Sequence, residues 1–246
     1  MHRFFAAGAA EAGQTVRLSE NESAHAARVL RLTPGAVVEI TDPDSGCRFL
    51  AELTDVTPAC VTAQLTEAIA ANEPPVEVTL FMGIPKADKL DFVVQKATEL
   101  GAVRVVPVRM ERSVAKIDRK DAPKKAERMR KIAAEAVKQC GRAKTPEIAE
   151  AMDFTPAMQL FAQNDVAMMP WEDARGTRMK DVYAENSGAR TIAIWVGPEG
   201  GISAAEAEKL MNAGATAVTL GPRILRTETA ALASLTMVMA YLGEME

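Results

Sequence analysis

The stretch from Thr191 to Leu235, TIAIWVGPEGGISAAEAEKLMNAGATAVTLGPRILRTETAALASL, decides the expected fold. Its first six residues, 191–196, are apolar and rich in β-branched side chains, which is typical of a strand buried on both faces. The strand leads into GPEGG at 197–201, whose glycines permit positive φ and a close approach of the backbone to a ligand. Ser203 and Glu206 then have the spacing of a capping box, so a helix is predicted to start there.

A second strand–loop–helix unit follows the first. Gly214 ends the predicted helix, Ala217–Leu220 forms a strand, and GPRILR at 221–226 leads into another helix. Both glycine-containing loops would lie at the carboxyl ends of parallel strands, where open α/β folds bind ligands. A single loop of this kind is more often only a tight turn. Two such loops, the second with a pair of arginines, favour a binding site.

Missing motifs and composition exclude several classes of site. Neither GxxxxGK[ST] nor a GxGxxG after a strand occurs, so a P-loop is excluded and a Rossmann-type site is poorly supported. No apolar run approaches the ~18 residues of a membrane span. The chain has 3 cysteines without CxxC spacing and 2 histidines, which favours reduced thiols in a cytoplasm and no metal centre. We therefore expect a cytoplasmic protein with neither membrane span nor metal.

The net charge of −4 hides an uneven distribution. Lys86–Lys144 holds 17 Lys and Arg against 8 Asp and Glu, so this block carries +9 and the remainder −13. A basic block within an acidic chain is typical of a polyanion-binding surface. It is equally typical of solvated helix faces, and the charges alone do not separate the two interpretations.

The sequence predicts a small β-rich domain at residues 1–72. It predicts an α/β domain with a mostly parallel sheet at residues 73–246. Short strands surround a strong hairpin turn, DPDSG at 42–46, and their spacing suggests a small barrel. The boundary falls in EAIAANEPP at 67–75, because consecutive prolines stop regular structure. Beyond it, Lys86–Leu100 and Glu127–Cys140 have helical apolar spacing. The polar stretch 177–188 is expected to be a mobile connection.

Several of these segments together resemble a known family. VGPEGGISAAE followed by LGPRILRTETA is similar to the C-terminal signature of the bacterial 16S rRNA uridine-N3 methyltransferases, which belong to the SPOUT (α/β-knot) superfamily. MHRFF, HAARVLRL and KADKLDFVVQKATELG resemble that family as well, so the resemblance covers nearly the whole chain. It implies a C-terminal domain with a deep trefoil knot, a PUA-like RNA-binding β-barrel at residues 1–72, and a homodimer.

The resemblance also implies an S-adenosylmethionine pocket formed by the two glycine loops and a third loop at 170–172. The expected donor-binding residues are Met169, Gly197, Pro198, Glu199, Gly200, Leu220, Gly221, Ile224 and Leu225. Arg226 is the candidate for stabilising a uracil anion, with Arg223 as the alternate. Glu228 could accept the N3 proton or orient Arg226; a carboxylate beside an arginine is a weak base, which favours orientation.

Contacts to 16S rRNA, alone or within the small subunit or its precursor, are expected from basic side chains in both domains. The candidates are Arg3, Arg28, Arg31, Lys86, Lys89, Lys124, Lys125, Arg128 and Arg142.

The function that the resemblance implies is S-adenosylmethionine-dependent methylation of a uridine N3 in 16S rRNA. One alternative is a knot-type rRNA 2′-O-ribose methyltransferase, since nothing in the residues distinguishes the two target atoms. A second is a non-catalytic RNA-binding factor in ribosome assembly, which would need no methyl-donor pocket. A nucleotide-binding oxidoreductase is disfavoured by the missing GxGxxG.

Overall fold

The computed structural model describes residues 1–86, 88–115 and 117–245. Ala87, in the stretch predicted as a helix, and Lys116, in the basic block, lie outside the described residues. Internal contacts divide the chain into two units. One comprises Met1–Glu73 and Val137–Thr145, and the other Pro74–Ala136 and Pro146–Glu246.

The first unit is a curled five-stranded sheet with one helical segment. Its elements are β1 (Arg3–Phe5), β2 (Thr15–Arg17), α1 (Glu20–Ala24), a π-helical turn (His25–Val29), β3 (Val37–Thr41), β4 (Arg48–Val56) and β5 (Val61–Ile69). The strand order is β1-β3-β4-β5-β2, with β1 parallel to β3 and the other neighbours antiparallel. The helical segment between β2 and β3 consists of two short pieces, α1 and the π-helical turn that follows it.

Alternating side chains form the core of this unit. Along β4, Phe49, Ala51 and Leu53 are buried while the residues between them are more exposed. The period of two follows from the pleat of a strand and places every second side chain on the inner face. Phe4 and Ile40 complete the same core, which confirms the predicted β-rich N-terminal region.

Two of the predicted RNA-binding arginines have partners inside this unit. Arg142 is 4% exposed, and its Nε and Nη2 atoms donate to Glu73 Oε2 at 3.1 and 2.6 Å. The other Glu73 oxygen accepts from the backbone N–H groups of Ala143 and Lys144 at 2.8 and 2.9 Å. A buried guanidinium needs such a partner, so Arg142 serves the packing of 142–144 rather than a cationic surface.

Arg3 lies in a second buried network. Its Nη2 atom is 2.9 Å from Glu39 Oε2, and Arg48 binds the other Glu39 oxygen. Burial is the largest influence on the pKa of Glu39 and raises it, but the two guanidinium groups outweigh burial and hold the pKa below its ordinary value. The structure therefore assigns Arg3 to an internal ion-pair network.

The second unit is an all-parallel seven-stranded sheet with helices on both faces. Its elements are β6 (Glu77–Gly83), α2 (Lys89–Glu99), β7 (Arg104–Arg109), α3 (Ala122–Cys140), β8 (Glu147–Ile148), β9 (Met152–Asp153), α4 (Phe154–Phe161), β10 (Val166–Pro170), α5 (Met179–Glu185), β11 (Thr191–Val196), α6 (Ala204–Asn212), β12 (Thr216–Val218) and α7 (Thr227–Tyr241). The division between the units falls inside α3.

The sheet order is β12-β10-β11-β6-β7-β8, and β9 also pairs with β7. Strands β6 and β11 are apolar along nearly their whole length because both faces are covered. On one face, Leu80 and Ile194 pack with side chains of α2, α3, α5 and α7. On the other face, the rings of Phe81 and Trp195 stack with their centroids 5.3 Å apart, and they pack with side chains of α4 and α6. The predicted α/β class with a mostly parallel sheet is confirmed.

The expectation of a mobile connection at 177–188 is wrong. The segment contains α5, whose Met179 and Val182 are buried, and Tyr183 stacks on Tyr241 of α7 at 5.9 Å. Apolar side chains at positions i, i+3 and i+4 are the helical signal in this otherwise polar stretch.

Helix α7 is buried on one side only. Ala231, Leu235 and Val238 are fully buried in the core of the second unit. The opposite side, which includes Leu232 and Thr236, is partly exposed.

The described ranges, 1–86, 88–115 and 117–245, contain neither a membrane-spanning helix nor a metal-binding cluster. No helix in them is long and apolar enough to cross a bilayer. No three His, Cys, Asp or Glu side chains in them come together in a way that could hold a metal ion.

Candidate functional site

Three loops converge at one edge of the parallel sheet and enclose a cavity of about 900 Å³. They follow the neighbouring strands β10, β11 and β12, whose carboxyl ends lie side by side. Most of the lining comes from Pro170, Trp171, Glu172, Ala174, Arg175, Gly176, Val196, Gly197, Pro198, Glu199, Gly201, Ile202 and 219–227, together with Lys89 and Ala230. Both predicted glycine loops and the third loop at 170–172 therefore meet in one site.

The loop after β11 is held from both sides. A Cβ atom on Gly83 at the end of β6 would lie 2.6 Å from Pro198, so only glycine permits this approach. At the other end, Thr227 donates its hydroxyl to the Gly197 carbonyl, which ties this loop to the start of α7. The predicted capping box of Ser203 and Glu206 is confirmed and begins α6.

Gly200 was expected to bind the methyl donor, but in the structure it packs against Arg112. Its carbonyl accepts from Arg112 Nη1 at 3.1 Å, and a Cβ atom there would lie 2.8 Å from Arg112 Cβ. It does not share the cavity lining with Gly197, Pro198 and Glu199. A side chain at Gly200 would therefore disturb loop packing before it met a ligand.

The loop after β12 presents mainly backbone and apolar groups. Gly221 has a φ of 105°, a conformation that favours glycine, and a Cβ atom there would meet nothing within 4 Å. Its N–H is held by the Thr219 hydroxyl at 3.2 Å. Ile224 is 88% exposed at the cavity mouth, and Leu220 and Leu225 are partly exposed beside it.

The structure places Met169, one of the predicted donor-binding residues, outside the cavity lining. The Met169 side chain is fully buried in the core on the α4 and α6 face of the sheet, and the loop begins only at Pro170. Trp171 and Glu172 line the cavity instead. The backbone N–H of Trp171 binds the Val218 carbonyl at 3.1 Å, which joins the first loop to β12.

Arg223 and Arg226 are both exposed and line the cavity. Neither forms an ion pair with a residue in the part of the chain that the structure describes. Arg226 has extended backbone at φ −65° and ψ 153° and directly precedes α7. Two unpaired guanidinium groups at a cavity are suited to an anionic ligand, since their charges are not already neutralised.

Lys89 joins the two carboxylates of the site. Its Nζ atom lies 3.2 Å from Glu199 Oε1 and 3.0 Å from Glu228 Oε2. Glu199 also accepts from the backbone N–H of Lys86 at 3.0 and 3.2 Å. A cluster of one ammonium and two carboxylates thus connects the start of α2, the loop after β11 and the first turn of α7.

This cluster keeps its members charged. Burial, the largest influence on Glu228, raises its pKa, but its own backbone N–H and the Lys89 ammonium outweigh burial and lower the pKa. Glu199 has a lowered pKa for a similar reason, with the Lys86 N–H as the largest opposing influence. Glu228 first and Glu199 second raise the pKa of Lys89. At neutral pH the carboxylates are ionised and are weak proton acceptors.

The remaining candidates for RNA contact fall into two groups. Arg28, Arg31, Lys86, Lys124 and Lys125 are exposed, and their side chains form no ion pair with a described residue. Arg128 pairs with Asp91 at 2.5 Å, and Lys89 belongs to the carboxylate cluster. Arg31, two residues after the end of the π-helical turn, has a φ of 52°, which is rare for a residue other than glycine.

Several lining residues were missed by the sequence analysis. Lys89 was expected at an RNA surface, and Arg175, Thr219 and Thr227 had no predicted role. Lys89 is separated from Glu199 and Glu228 by more than a hundred residues, and no local pattern predicts such a contact. Thr227, in contrast, is the first residue of α7 and lies in the quoted motif, so it could have been singled out.

Comparison with known proteins identifies the class. Residues 72–239 match a family model described as an RNA methyltransferase domain, and residues 18–64 match one described as an RNA methyltransferase PUA domain. The first match covers more than half of the chain. The protein therefore belongs to this family of RNA methyltransferases.

Individual relatives carry a more specific name. The ribosomal RNA small subunit methyltransferase E of Bacillus subtilis is 34% identical over 233 residues, which are 93% of this chain and 91% of that protein. The Neisseria gonorrhoeae protein of the same name, solved with S-adenosyl methionine bound, has a TM-score of 0.84 at 31% identity and covers 98% of both chains. A putative methyltransferase of Legionella pneumophila in complex with that cofactor has a TM-score of 0.79 at 28% identity over 97% of both chains.

The close approach of Pro198 to Gly83 supports a first prediction. We expect Gly83→Ala to lower the free energy of unfolding by about 1–3 kcal/mol, because the added methyl group displaces the backbone of the loop after β11. Urea unfolding measures the change, and faster limited proteolysis within 197–201 would locate it. Gly188→Ala is the matched control, since its Cβ atom meets nothing within 4 Å. Equal stability of the two variants would contradict the role given to Gly83.

Proposed function

We propose that this protein transfers a methyl group from S-adenosylmethionine to N3 of a uridine in 16S rRNA. The observation that carries the proposal is the cavity itself, in which three loops of a parallel sheet meet two unpaired arginines. Membership of the RNA methyltransferase family supports the reaction class, and the names of the relatives support small-subunit rRNA as the substrate. The uridine N3 target rests on the resemblance of the two loop motifs.

The cavity suits the proposed cofactor. Its volume of about 900 Å³ lies within the usual range for small-molecule sites, roughly 300–1,000 Å³. Backbone groups of Gly197, Pro198 and Gly221 can read the edge of an adenine ring, and Leu220, Ile224 and Leu225 offer apolar walls. S-adenosylmethionine supplies an electrophilic methyl group on a sulfonium centre, so the protein needs no further activation of the donor.

The work left to the protein is to orient the target base and stabilise its deprotonated form. Uracil N3 attacks through a lone pair that becomes available when the N3 proton leaves. An unpaired guanidinium nearby favours the resulting anion electrostatically. We assign this role to Arg226, which stands directly before α7 at the cavity, and keep Arg223 as the alternate.

Glu228 has an orienting role in this proposal. Its lowered pKa makes it a weak proton acceptor at neutral pH, which disfavours a general-base role. Its contact is with Lys89 rather than with Arg226. The N3 proton is therefore released to water, and Glu228 fixes the first turn of α7.

The second prediction tests the reaction. We expect small subunits from a deletion strain, incubated with the purified protein and S-adenosylmethionine, to gain 3-methyluridine detected by nucleoside mass spectrometry. Arg226→Ala should lower kcat by about 100-fold, because the charge that stabilises the anion is removed, while calorimetry shows cofactor affinity within a few-fold of wild type. Arg223→Ala should have the smaller effect. A 2′-O-methyl product, or no product, would contradict the proposed reaction.

We infer that RNA is bound by exposed cations of both units. In the second unit, Lys124 and Lys125 in the first turn of α3 have no ion-pair partner among the described residues. In the first unit, Arg28 and Arg31 project from the π-helical turn and the residues after it. We assign residues 1–72 as the RNA-binding domain and 73–246 as the catalytic domain, and a cytoplasmic location follows from an rRNA substrate.

The third prediction concerns this cationic surface. Lys124→Glu combined with Lys125→Glu should weaken RNA binding and reduce the salt dependence of log K by roughly one for each phosphate that the protein no longer neutralises. Filter binding over a salt series measures both quantities, and cofactor affinity should not change. Lys180→Glu combined with Lys209→Glu, an equal charge change at exposed positions of α5 and α6, is the control. Equal salt slopes for the two double variants would exclude Lys124 and Lys125 as phosphate-binding residues.

We also propose a homodimer formed through the partly exposed side of α7. This side combines Leu232 and Ala233 with Thr236 and Met237, and Ala240 is exposed at its end. Small and apolar side chains of this kind are typical of an interface core. Leu235 and Val238 face the protein's own core, so charged residues there would unfold the chain rather than separate subunits.

The fourth prediction tests the dimer. Leu232→Glu should convert a dimer into a folded monomer with reduced methylation, because the interface would bury an unpaired carboxylate. Sedimentation velocity gives the mass, and circular dichroism checks the fold. Met211→Glu, at a 39% exposed methionine of α6, should stay dimeric. Wild-type protein that is monomeric and fully active at assay concentration would overturn the proposed dimer.

The course of the chain is consistent with the knot that the resemblance implies, and we propose that the knot is present. Strand β12 lies at the outer end of the sheet, beyond β10, yet α7 returns to contact β6 and β11 near the middle. The returning segment is tied to Gly197 by Thr227.

A further inference from the structure

We propose that Lys89 is a positioning residue that keeps Arg226 available to the target base by holding the Glu228 carboxylate away from it. The inference rests on the proposed function for its catalytic consequence but not for its geometry. Lys89 lines the cavity from the first residue of α2, and its ammonium lies within 3.2 Å of both Glu199 and Glu228.

Glu228 has a competing partner close in sequence. Arg226 precedes it by two residues, lines the cavity together with Lys89 and forms no ion pair with a carboxylate among the described residues. Arg226 lies close enough to contribute to the lowered pKa of Glu228. An arginine and a carboxylate that can reach each other form strong bidentate pairs. An arginine paired in this way has its charge neutralised and stabilises an anionic base less well. The Lys89 contact therefore decides which partner Glu228 takes.

Glu199 holds the Lys89 ammonium in the position from which it contacts Glu228. Its carboxylate is held by the backbone N–H of Lys86 as well as by Lys89, so it is anchored to the start of α2. Lys89 thus has one partner that is also bound by the backbone, Glu199, and one partner, Glu228, in the first turn of α7, which Arg226 directly precedes. The charged groups near Glu228 are Lys89, Glu199, which shares Lys89 with it, and, at longer range, Arg226.

The cluster contributes little to stability. The Lys89 side chain is 31% exposed, and exposed ion pairs contribute only about 0–1 kcal/mol. Removal of the ammonium would leave two carboxylates close together without a cation between them. Repulsion between them would then drive Glu228 towards Arg226, so the expected defect is catalytic rather than structural.

Lys89→Met keeps the length and apolar stem of the side chain and removes its charge. We expect kcat to fall about 10- to 100-fold, with the cofactor Kd and the thermal midpoint close to wild type. Lys89→Arg should restore most of the activity. Lys96→Met, which removes a lysine from the same helix outside the cavity, is the matched control and should be as active as wild type.

A double variant separates this role from direct contact with substrate. In Lys89→Met combined with Glu228→Gln, the carboxylate that would neutralise Arg226 is removed while Glu199 stays bound to the Lys86 N–H, so kcat should rise above that of Lys89→Met alone. If Lys89 itself contacted the base, or only supported the loops, the second change would restore nothing. A double variant no more active than Lys89→Met would overturn the proposal.

An NMR titration, which does not depend on catalysis, tests the contact between Lys89 and Glu228. Carbon-13 NMR of side-chain-labelled glutamate, with Glu228 assigned from the Glu228→Gln variant, follows the titration of that carboxyl. In Arg226→Ala protein, where no guanidinium can replace the ammonium, the midpoint should rise when Lys89→Met is added, because no cation then lowers the pKa of Glu228. It should return with Lys89→Arg, and an unchanged midpoint would contradict the contact. Absence of methylation by wild-type protein would refute the proposed function, while this titration would still test the Lys89 contact.

Discussion

The parallel pairing of β11 with β6 on one side and β10 on the other is the constraint on which the site depends. Residues 191–196 are in register with 77–82, so the chain leaves β11 beside the end of β6 and meets Gly83 there. Parallel strands present their carboxyl ends at one edge, and β12 adds its own loop beyond β10. The cavity is therefore surrounded largely by loop backbone. A single added atom, such as a Cβ at Gly83, would collide with the loop after β11.

The meeting of these loops also separates the charged side chains around the cavity into paired and unpaired groups. The carboxylates of Glu199 and Glu228 share Lys89, whereas Arg223 and Arg226 are exposed without a described carboxylate partner. Each ion pair is too exposed to contribute much stability. The arrangement instead determines which charges face a ligand, since a carboxylate that is occupied by an ammonium no longer competes for the guanidinium groups. Anionic ligands therefore meet positive charge at the cavity.

The basic block at Lys86–Lys144 illustrates why a charge count overstates a binding surface. Arg128 is neutralised by Asp91, Lys131 by Glu127 and Arg142 by Glu73. The groove between α2 and α3 contains Lys124, Arg128 and Lys131 and also Asp88, Asp91, Glu127 and Glu135, so its charges largely cancel. What is left for a polyanion is a smaller set of exposed lysines at the beginning of α3 and near the start of α2.

Local patterns in the sequence determined the class of the fold and identified two of the loops that line the cavity. Apolar runs, the capping box at Ser203 and the amphipathic stripe of α2 are set by contacts within a few residues, and these features are present in the structure. The glycine loops were recognisable because positive φ and close backbone approach restrict the residue type. The helix at Met179–Glu185 was missed because its apolar signal is only three side chains long.

Contacts between distant residues were decided only by the tertiary structure. The Lys89 cluster joins three elements, the burial of Arg142 depends on Glu73, and Met169 is assigned to the core by the face of β10 from which it projects. A charged side chain has the same local sequence signal whether it meets water, a nucleic acid or a buried partner. The partner of such a side chain depends on strand order and helix packing, and these exist only in the folded structure.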